Sequence, residues 1–425
     1  MHIEQLTLNQ FRGAKHLSLV LDDRMNVFVG MNGAGKSSLL DASAILLSWL
    51  INRIKSASAS GRPIIETDIQ NGSGHAALSL RISNYATTYE WSLVKYRKGR
   101  HQDEKSSLQS LSELAAALKK RFSACDGVVN LPLFVYYPVN RAVLDIPLRI
   151  RDKHRFDVLS AYDDALTGGS NFRTFFEWFR EREDLENENR KYSYQLVKPE
   201  GSQFPDPQLQ AVRSALGKFM PEFSNLTVRR NPLRMEVEKG GKRLTVNQLS
   251  DGEKCMMAMV GDLARRLAII NPICDNPLDG EGIILIDEID LHLHPKWQRM
   301  IIIKLREVFP NCQFLLSTHS PHVITHAQPE NIYLLSMQSD LGMVCDQPSE
   351  SYGKTVERIL EDLMGLETTR PDEVSEALGL IYQHIDEGRL DQAKTSITEL
   401  QSRIGSDPDL IKATVLIKRK ELIGK

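Results

Sequence analysis

The chain has 425 residues, of which 41% are hydrophobic and 25% are charged, and its formal net charge is -2. This length allows one large core or two to three domains, and the composition is that of a globular protein. The near-neutral charge excludes a globally basic nucleic-acid binder, so contacts with nucleic acid must come from a local patch or from a partner.

The cysteines and the apolar runs bear on the compartment. The five cysteines are scattered and lack any C-x-x-C pair, which argues against a zinc site or a disulfide framework and favours a reducing compartment. The amino terminus lacks the basic and apolar regions of a signal peptide. The most apolar run, Leu39 to Leu50, contains Asp41 and is too short to span a bilayer. We therefore expect a cytoplasmic protein that does not cross a membrane.

The first predicted elements are two strands that lead into a phosphate-binding loop. Apolar patterns predict strands at Ile3 to Leu8 and Asn26 to Val29, and GMNGAGKSS follows with the GxxxxGK[ST] spacing. In such a loop, glycines let backbone N–H groups face phosphate oxygens before the next helix, here predicted from Ser38 to about Ile54. Lys36 would reach the β- and γ-phosphates, and the Ser37 hydroxyl would bind Mg²⁺. The other nucleotide-binding candidates of the loop are Asn32, Gly33, Ala34, Gly35 and Ser38.

Strand and helix patterns follow one another after this first helix. Residues 63–98 have the pattern of β structure, and four leucines and Phe122 are spaced over 108–122 as in an amphipathic helix. Leu133 to Tyr137 predicts a further buried strand, and Arg141 lies just beyond it. Arg141 either belongs to the nucleotide edge of the sheet or is a surface arginine in a loop.

The character of the chain changes from Arg149 to Leu226. A basic cluster comes first, formed by Arg149, Arg151, Lys153 and Arg155. Asn171 to Arg190 then predicts a helix with an aromatic first half and a charged second half. A cationic stretch beside aromatic residues can hold nucleic acid, whereas most such helices bury the aromatic side chains in a core. With helix returning over Gln208 to Phe219, we expect a helical insertion over 149–226.

A capped helix is predicted after a second hairpin. Leu233 to Val246 alternates between apolar and polar residues and carries a Gly-Gly turn. In the next segment, LSDGEK, Ser250 and Glu253 stand in the S-x-x-E relation of a capping box. An ordinary capped helix explains this pattern. A helix start that offers Ser250 and Gly252 is also a phosphate site, here for a second nucleotide.

Two adjacent acids follow a fully apolar strand pattern. Ile283 to Ile286 predicts a strand buried on both faces, and Asp287 and Glu288 come directly after it. Ligands of open α/β sheets bind beyond the carboxyl ends of strands, so these acids suit a metal ligand and a base that polarises water. A charged turn alone would have the same pattern. His319 lies at the end of another predicted strand, Gln313 to Ser317.

The remaining patterns are mainly helical. A helix is predicted over Trp297 to Phe309 and a strand over Ile332 to Leu335. His292 and His294, in DLHLHP, need no metal to explain them. The tail begins at Ser349 and has four helical patterns, which are Thr355 to Met364, Asp372 to Asp386, Leu390 to Ile404 and Asp407 to Ile423.

Four motifs together resemble one ATPase family. They are the phosphate loop at 30–37, LSDGE at 249–253, the apolar strand with Asp287 and Glu288, and His319. Their order resembles that of the RecF/SMC-type ABC ATPases, and the resemblance covers roughly 1–50 and 227–345. It implies an α/β fold, the P-loop ABC-type ATPase head, with a mixed and parallel sheet and flanking helices. ATP and Mg²⁺ are the implied cofactors.

The resemblance implies roles by position. Asp287 would support Mg²⁺, Glu288 would polarise the attacking water, and His319 would sense the γ-phosphate. Asp290 would begin the D-loop, and Arg12, in NQFRGAK, matches an arginine that lies near the nucleotide phosphates. The implied catalytic residues are Lys36, Glu288 and His319.

The resemblance also implies a composite site between two heads. Ser250 and Gly252 would act in trans on ATP held by a second subunit, so that ATP joins the heads and hydrolysis releases them. Such catalysis is mostly positioning and charge stabilisation around the γ-phosphoryl group. For the Q-loop, Gln70 and the Tyr136 to Arg141 segment both remain candidates.

The resemblance divides the chain into four regions. They are an N-terminal lobe of the head with the phosphate loop (1–148), the helical insertion (149–226), a second lobe with the signature, the acids and His319 (227–348), and a helical C-terminal partner-binding region (349–425). The stretch between phosphate loop and signature is too short for SMC arms. The chain also lacks the acid pattern of a TOPRIM domain and any HNH pattern, so we expect no nuclease site of its own.

The insertion and the tail resemble those of the PtuA group, the ATPases of Septu and retron-associated anti-phage systems. The similar segments are SNFRTFFEWFREREDLEN and SYGKTVERILEDLMG. In that group the ATPase assembles with a separate HNH nuclease. The resemblance thus implies a homodimer or higher homo-oligomer that regulates a nuclease partner, with DNA or retron RNA/DNA as a candidate ligand. The alternatives are a RecF-like ATP-dependent DNA clamp and a scaffold in which nucleotide is structural.

Overall fold

The computed structural model describes residues 1–100, 103–126, 128–139, 156–167, 172–190 and 204–423. These residues form two compact units, Met1–Lys354 and Thr355–Lys425. The predicted basic cluster, Arg149, Arg151, Lys153 and Arg155, lies outside the described residues, as does the candidate Arg141. Of the described helices, none combines the length and the apolar character that a membrane span requires.

The strands of the first unit form two sheets. In chain order they are β1 (His2–Phe11), β2 (Ala14–Val20), β3 (Met25–Gly30), β4 (His75–Asn84), β5 (Thr87–Tyr96), β6 (Leu133–Tyr137), β7 (Phe223–Arg230), β8 (Leu233–Lys239), β9 (Lys242–Thr245), β10 (Gly282–Ile286), β11 (Cys312–Thr318), β12 (Ile332–Gln338) and β13 (Gly342–Asp346). The larger sheet has the order β5-β4-β1-β2-β13-β12-β3-β11-β10-β6, and the smaller has β7-β8-β9. Strands β12, β3, β11, β10 and β6 run parallel, so their carboxyl ends meet at one edge.

Helices cover both faces of the parallel strands. In chain order they are α1 (Lys36–Lys55), α2 (Gln109–Ala124), α3 (Phe172–Arg190), α4 (Pro207–Phe219), α5 (Asp251–Ile270), α6 (Pro295–Gln298), α7 (Ile301–Val308) and α8 (Pro321–Ile324). Helix α1 follows β3 after the phosphate loop and buries an apolar face that includes Leu39, Leu46 and Leu50. Helix α5 is buried from Cys255 to Ile270 and packs against β6, α3 and α4. The mixed sheet with flanking helices confirms the predicted fold class.

Burial explains which strands were predictable. Strands β6 and β10 are buried at every position, as parallel strands covered on both faces are, and both were expected from their continuous apolar runs. Strands β2 and β7 alternate between buried and exposed residues, and both were missed, as was β13. Strand β7 begins at Phe223, so the last four residues of the predicted insertion, 223–226, belong to a strand instead of a helix.

The helix predicted over Trp297 to Phe309 is divided into α6 and α7. At the break, the Met300 N–H donates to the Trp297 carbonyl at 3.0 Å, three residues back, instead of one residue further. This tighter turn is a 3₁₀-type connection, which hydrophobic periodicity does not reveal.

The aromatic half of α3 belongs to the core. Phe175, Phe176, Trp178 and Phe179 are all buried. Phe175 packs so closely on α5 that a Cβ at Gly261 would lie 2.9 Å from its ring. These four side chains are not available to stack on bases, so the interpretation of this helix as a core element is confirmed.

The second unit, Thr355–Lys425, is helical where it is described. Its helices are α9 (Val356–Asp362), α10 (Asp372–Asp386), α11 (Leu390–Ile404) and α12 (Pro408–Ile423). Helices α10, α11 and α12 share an apolar core that includes Ile381, Ala393 and Ala413. Arg370 closes the start of α12 through ion pairs with Asp407 at 2.9 Å and Asp409 at 2.8 Å. The three longer helices lie where the apolar periodicity predicted them.

Candidate nucleotide site

The phosphate loop connects β3 to α1 at the carboxyl edge of the parallel strands. Its glycines are required by close approach as well as by conformation. A Cβ at Gly30 would lie 2.4 Å from the Leu335 carbonyl oxygen, and Gly35 has φ 100° and would meet the Met343 side chain. Within the loop, Asn32, Gly33 and Ser37 are exposed, Ala34 is buried, and Ser38 is half-buried. The loop therefore presents a surface that a ligand can reach.

Lys36 is held inside its own loop. Lys36 is only 5% exposed, and its Nζ donates to the carbonyls of Gly30 at 2.8 Å and Met31 at 3.1 Å. Burial lowers the pKa of Lys36, while Asp287 and then Glu288 oppose this shift. The ammonium thus lies against its own loop, within electrostatic reach of the two predicted acids.

The two acids after β10 are fixed by the neighbouring strands. The Asp287 N–H donates to the Tyr137 carbonyl at 2.9 Å, which extends the pairing of β10 with β6. The Asp287 carboxylate accepts a hydrogen bond from the Ser317 hydroxyl, and Asp287 is 2% exposed. The same hydroxyl accepts the Glu288 N–H at 2.7 Å. Glu288 has φ 47°, an uncommon conformation for a residue other than glycine, and such conformations cluster at functional sites.

Ser317 is a site residue that sequence reasoning missed. Strand β11 pairs in parallel with β10, and the register sets Leu316 beside Ile286. The residues that follow, Ser317 and Asp287, are therefore neighbours. The signal was present in STHS, but the partner of Ser317 depends on a strand register that the sequence alone does not specify.

Asp290 and His319 lie beside these acids. The Asp290 carboxylate accepts hydrogen bonds from the Thr318 hydroxyl at 2.5 Å and from the His319 N–H at 3.3 Å. Burial, and then the charge of Lys36, lower the pKa of His319 below its usual value, against Asp290 and Glu288. The imidazole is therefore neutral at pH 7 and can accept or donate a hydrogen bond.

Arg12 lies in the turn between β1 and β2, and its side chain is paired with two acids, one of them on α1. Its guanidinium pairs with Asp41 and with Asp68, the latter at 2.9 Å. Arg62 shares Asp41 at 2.7 Å. Burial alone would lower the pKa of Arg12, but Asp41 and Asp68 outweigh it and raise the pKa. Asp41 follows the phosphate loop by little more than one helical turn, so this paired arginine lies beside the start of α1.

Of the two Q-loop candidates, Tyr136 is the one that faces the acids. Burial, and then the charge of Asp287, raise the pKa of the Tyr136 hydroxyl. Gln70 instead lies beside β1, where its N–H donates to the Gln10 carbonyl at 2.8 Å. Tyr136 is thus within electrostatic reach of Asp287, and the end of its segment, 140–141, lies outside the described residues.

The signature segment begins α5 with the predicted capping box. The Ser250 hydroxyl accepts the Glu253 N–H at 3.4 Å, and the Glu253 carboxylate accepts the Ser250 N–H at 2.9 Å. Gly252 packs against the segment after Asp290, since a Cβ there would lie 2.2 Å from the His292 carbonyl oxygen. The signature and the predicted D-loop therefore touch within one chain.

The two histidines of DLHLHP have structural roles. His292 adopts φ 60° at the turn that meets Gly252. The His294 Nδ1 accepts the Lys296 N–H at 3.2 Å and so caps α6. Across the described part of the chain, no group of three or more histidine, cysteine, aspartate or glutamate side chains is placed to hold a metal ion.

The contact of Gly252 with His292 gives a testable expectation. Replacing Gly252 with alanine should lower the free energy of unfolding by about 1–3 kcal/mol, because the added methyl displaces a backbone carbonyl. Thermal unfolding measures this change. The matched control is Gly217→Ala in α4, where a Cβ meets open space and alanine should stabilise the helix by about 1 kcal/mol. Equal stabilisation by both substitutions would contradict the contact.

Comparison with known proteins places this geometry in context. Residues 25–325 match the protein family described as "AAA domain, putative AbiEii toxin, Type IV TA system". The "Retron Ec83 probable ATPase" of Escherichia coli is 30% identical, over 88% of this chain and 78% of that protein. The "Retron Vc95 probable ATPase" of Vibrio cholerae serotype O1 biovar El Tor is 30% identical, over 83% and 77% respectively. The "Septu protein PtuA" of Bacillus thuringiensis is 23% identical, over 91% and 89%.

Proposed function

The chain belongs to this AAA-domain family as a RecF/SMC-type ABC ATPase related to retron and Septu ATPases, and we propose that it hydrolyses ATP between two copies of itself to regulate a nuclease in anti-phage defence. The observation that carries the proposal is the convergence of Lys36, Asp287, Glu288 and His319 at one sheet edge. A buried lysine beside a phosphate loop, two acids and a neutral imidazole suit phosphoryl transfer to water.

The residues present fit a Mg²⁺ ion bound together with ATP. Mg²⁺ prefers oxygen ligands and is usually held by one or two protein groups plus phosphates and water. The buried carboxylate of Asp287 and the exposed hydroxyl of Ser37 would supply those protein oxygens. When bound, the ion would neutralise negative charge that develops on the phosphates.

The remaining residues position the attacking water and the γ-phosphate. Glu288 would accept a hydrogen bond from the water, whose oxygen attacks the γ-phosphorus as the bond to the β-phosphate oxygen breaks. Ser317 holds the backbone of Glu288 for this role through the bond to its N–H. His319 would hydrogen-bond the γ-phosphate, and Lys36 would bind the β- and γ-phosphates. The loop residues Asn32, Gly33, Ala34, Gly35 and Ser38 would complete the cradle, with Arg12 and Asp290 beside it.

The second copy would complete the site through its signature segment. Ser250 and Gly252 stand at the start of α5, a helix of 20 residues whose N-terminal dipole favours an anion. The cis contact of Gly252 with His292 holds this helix start beside the segment from Asp290 to Pro295. We infer that both segments face the partner head, so that each nucleotide lies between two chains.

The partner is proposed from the relatives and from the division of the chain. Two relatives are named as retron ATPases and one as a Septu protein. The compact unit Thr355–Lys425 would bind an HNH-type nuclease. The complex of ATPase and nuclease would then bind DNA or retron RNA/DNA. We also propose that the chain divides into four regions, with boundaries at 149, 227 and 349, and that the protein is cytoplasmic.

Molecular mass measured with and without ATP tests the proposed function. With ATP and Mg²⁺, the purified chain should shift from lower-mass species to a dimer or higher oligomer. A native complex isolated through this chain should contain a nuclease subunit. A molecular mass that does not change with ATP would contradict the proposed dimer. A native complex that contains DNA but no nuclease would favour the RecF-like clamp.

A further inference from the structure

Tyr137 connects the acid edge of the site to the middle of the signature helix. It is the last residue of β6, and its carbonyl accepts the Asp287 N–H at 2.9 Å. Its hydroxyl donates to the Asp262 Oδ2 of α5 at 3.0 Å. Tyr137 is 1% exposed and Asp262 is 0% exposed. The side chain of Tyr137 thus fixes α5 to β6, and its backbone carbonyl holds the residue predicted to bind Mg²⁺, Asp287.

Two arginines complete this buried cluster. Arg265 and Arg266 each bind the Asp262 carboxylate at 2.7 Å. Arg266 also donates to the carbonyls of Ala161 at 2.6 Å and Asp163 at 2.9 Å. Burial alone would raise the pKa of Asp262, but Arg266 and Arg265 together lower it. The carboxylate therefore stays charged, and it retains two partners if the Tyr137 hydroxyl is lost.

We propose that Tyr137 is a positioning residue that couples the hydrolytic edge of one site to the signature segment that serves the other. This inference rests on the proposed function, in which Ser250 and Gly252 act on the nucleotide of the second copy. Helix α5 links Ser250 to Asp262 over about 18 Å at 1.5 Å per residue. A tilt of a few degrees at Asp262 therefore moves the signature by about 1 Å, a displacement that can change a rate by about 10²-fold.

The competing explanation is that the cluster only stabilises the core. Buried ion pairs often have that role, and breaking one lowers stability without any specific effect on catalysis. Tyr137→Phe separates the two explanations because it removes one hydroxyl and keeps the ring. The matched control is Tyr333→Phe on β12, since Tyr333 is 4% exposed and its hydroxyl donates to the Val20 carbonyl at 2.9 Å, with no contact to α5 among the described hydrogen bonds.

Steady-state kinetics and thermal unfolding of these two variants form the first test. Tyr137→Phe should lower kcat for ATP roughly 10-fold while KM stays within about twofold, because the phosphate loop is untouched. Tyr333→Phe should shift the thermal midpoint by a similar few degrees and leave kcat within about twofold. Equal kcat values for the two variants would overturn the proposal, and a wild type without turnover would overturn the proposed function instead.

Mixed dimers provide the second test. In a mixture of Lys36→Ala and Ser250→Arg chains, the active site would combine the acid edge of the Ser250→Arg chain with the signature of the Lys36→Ala chain. Adding Tyr137→Phe to the Lys36→Ala chain, which supplies only the signature to the active site, should still lower turnover. If turnover falls only when the substitution is on the chain that supplies the acid edge, Tyr137 acts locally on Asp287 and the coupling is refuted.

Discussion

Replacing Glu288 with glutamine should lower the turnover of ATP by about 10²–10⁴-fold, the range expected when a general base is removed. The substitution keeps the size and shape of the side chain but removes the charge that polarises water. Lys36 and Asp287 are unchanged, so ATP binding should persist and the two heads should stay joined. Phosphate release under saturating ATP and Mg²⁺ measures the first effect, and the mass of the protein under the same conditions measures the second.

A control for charge alone lies at the other end of the same strand. Glu281 precedes β10, and its carboxylate pairs with the amino terminus at 3.0 Å. Because this part-buried pair lies at the opposite end of β10 from Glu288, Glu281→Gln should leave turnover within about twofold of the wild type. If Glu288→Gln hydrolyses ATP at the wild-type rate, Glu288 is not the residue that orients the water.

The predictable part of the site is the part encoded by local spacing. Lys36 and Ser37 follow from the GxxxxGK[ST] pattern, and Asp287 and Glu288 follow from an uninterrupted apolar run that ends in acids. Both patterns are local because a phosphate loop and a buried parallel strand each impose their own residue types. The fold class was predictable for the same reason.

The unpredicted part depends on contacts between distant segments. Ser317 supports Asp287 and Glu288 only because β11 pairs with β10 in one particular register. Gly252 must be glycine because the His292 carbonyl approaches it. The residue types are visible in STHS and LSDGE, but the contacts that require them join segments distant in the sequence, so the sequence alone does not specify them.

The last two residues of β6 show the same limit. The run LFVYY predicted the strand correctly, but it could not show which face each tyrosine occupies. Successive side chains of a strand point to opposite faces. Tyr136 accordingly lies near Asp287 and Asp41, whereas Tyr137 reaches Asp262 on α5. Two identical neighbours therefore serve the phosphate side and the signature helix separately.

Mixing two inactive variants should restore ATP hydrolysis if each site is shared by two chains. Lys36→Ala removes charge-assisted contacts with the phosphates, which are worth about 1.5–3 kcal/mol each, so it should lose roughly 10²-fold or more in ATP affinity. Ser250→Arg removes the cap of α5 and places a bulky cation where the partner's nucleotide would lie. Each variant alone should be inactive, and Ser250→Arg should stay folded because loss of a cap costs only about 1 kcal/mol.

The size of the recovery is set by symmetry. In an equal mixture, half of the dimers carry one chain of each kind. One of the two sites in each such dimer combines an intact phosphate loop with an intact signature. About a quarter of wild-type turnover should therefore return. A mixture of Lys36→Ala with Glu288→Gln is the control, because both substitutions damage the same half of the site and each combined site keeps one of them. Activity of Ser250→Arg alone, or no recovery on mixing, would mean that the signature segment does not serve the nucleotide of the other chain.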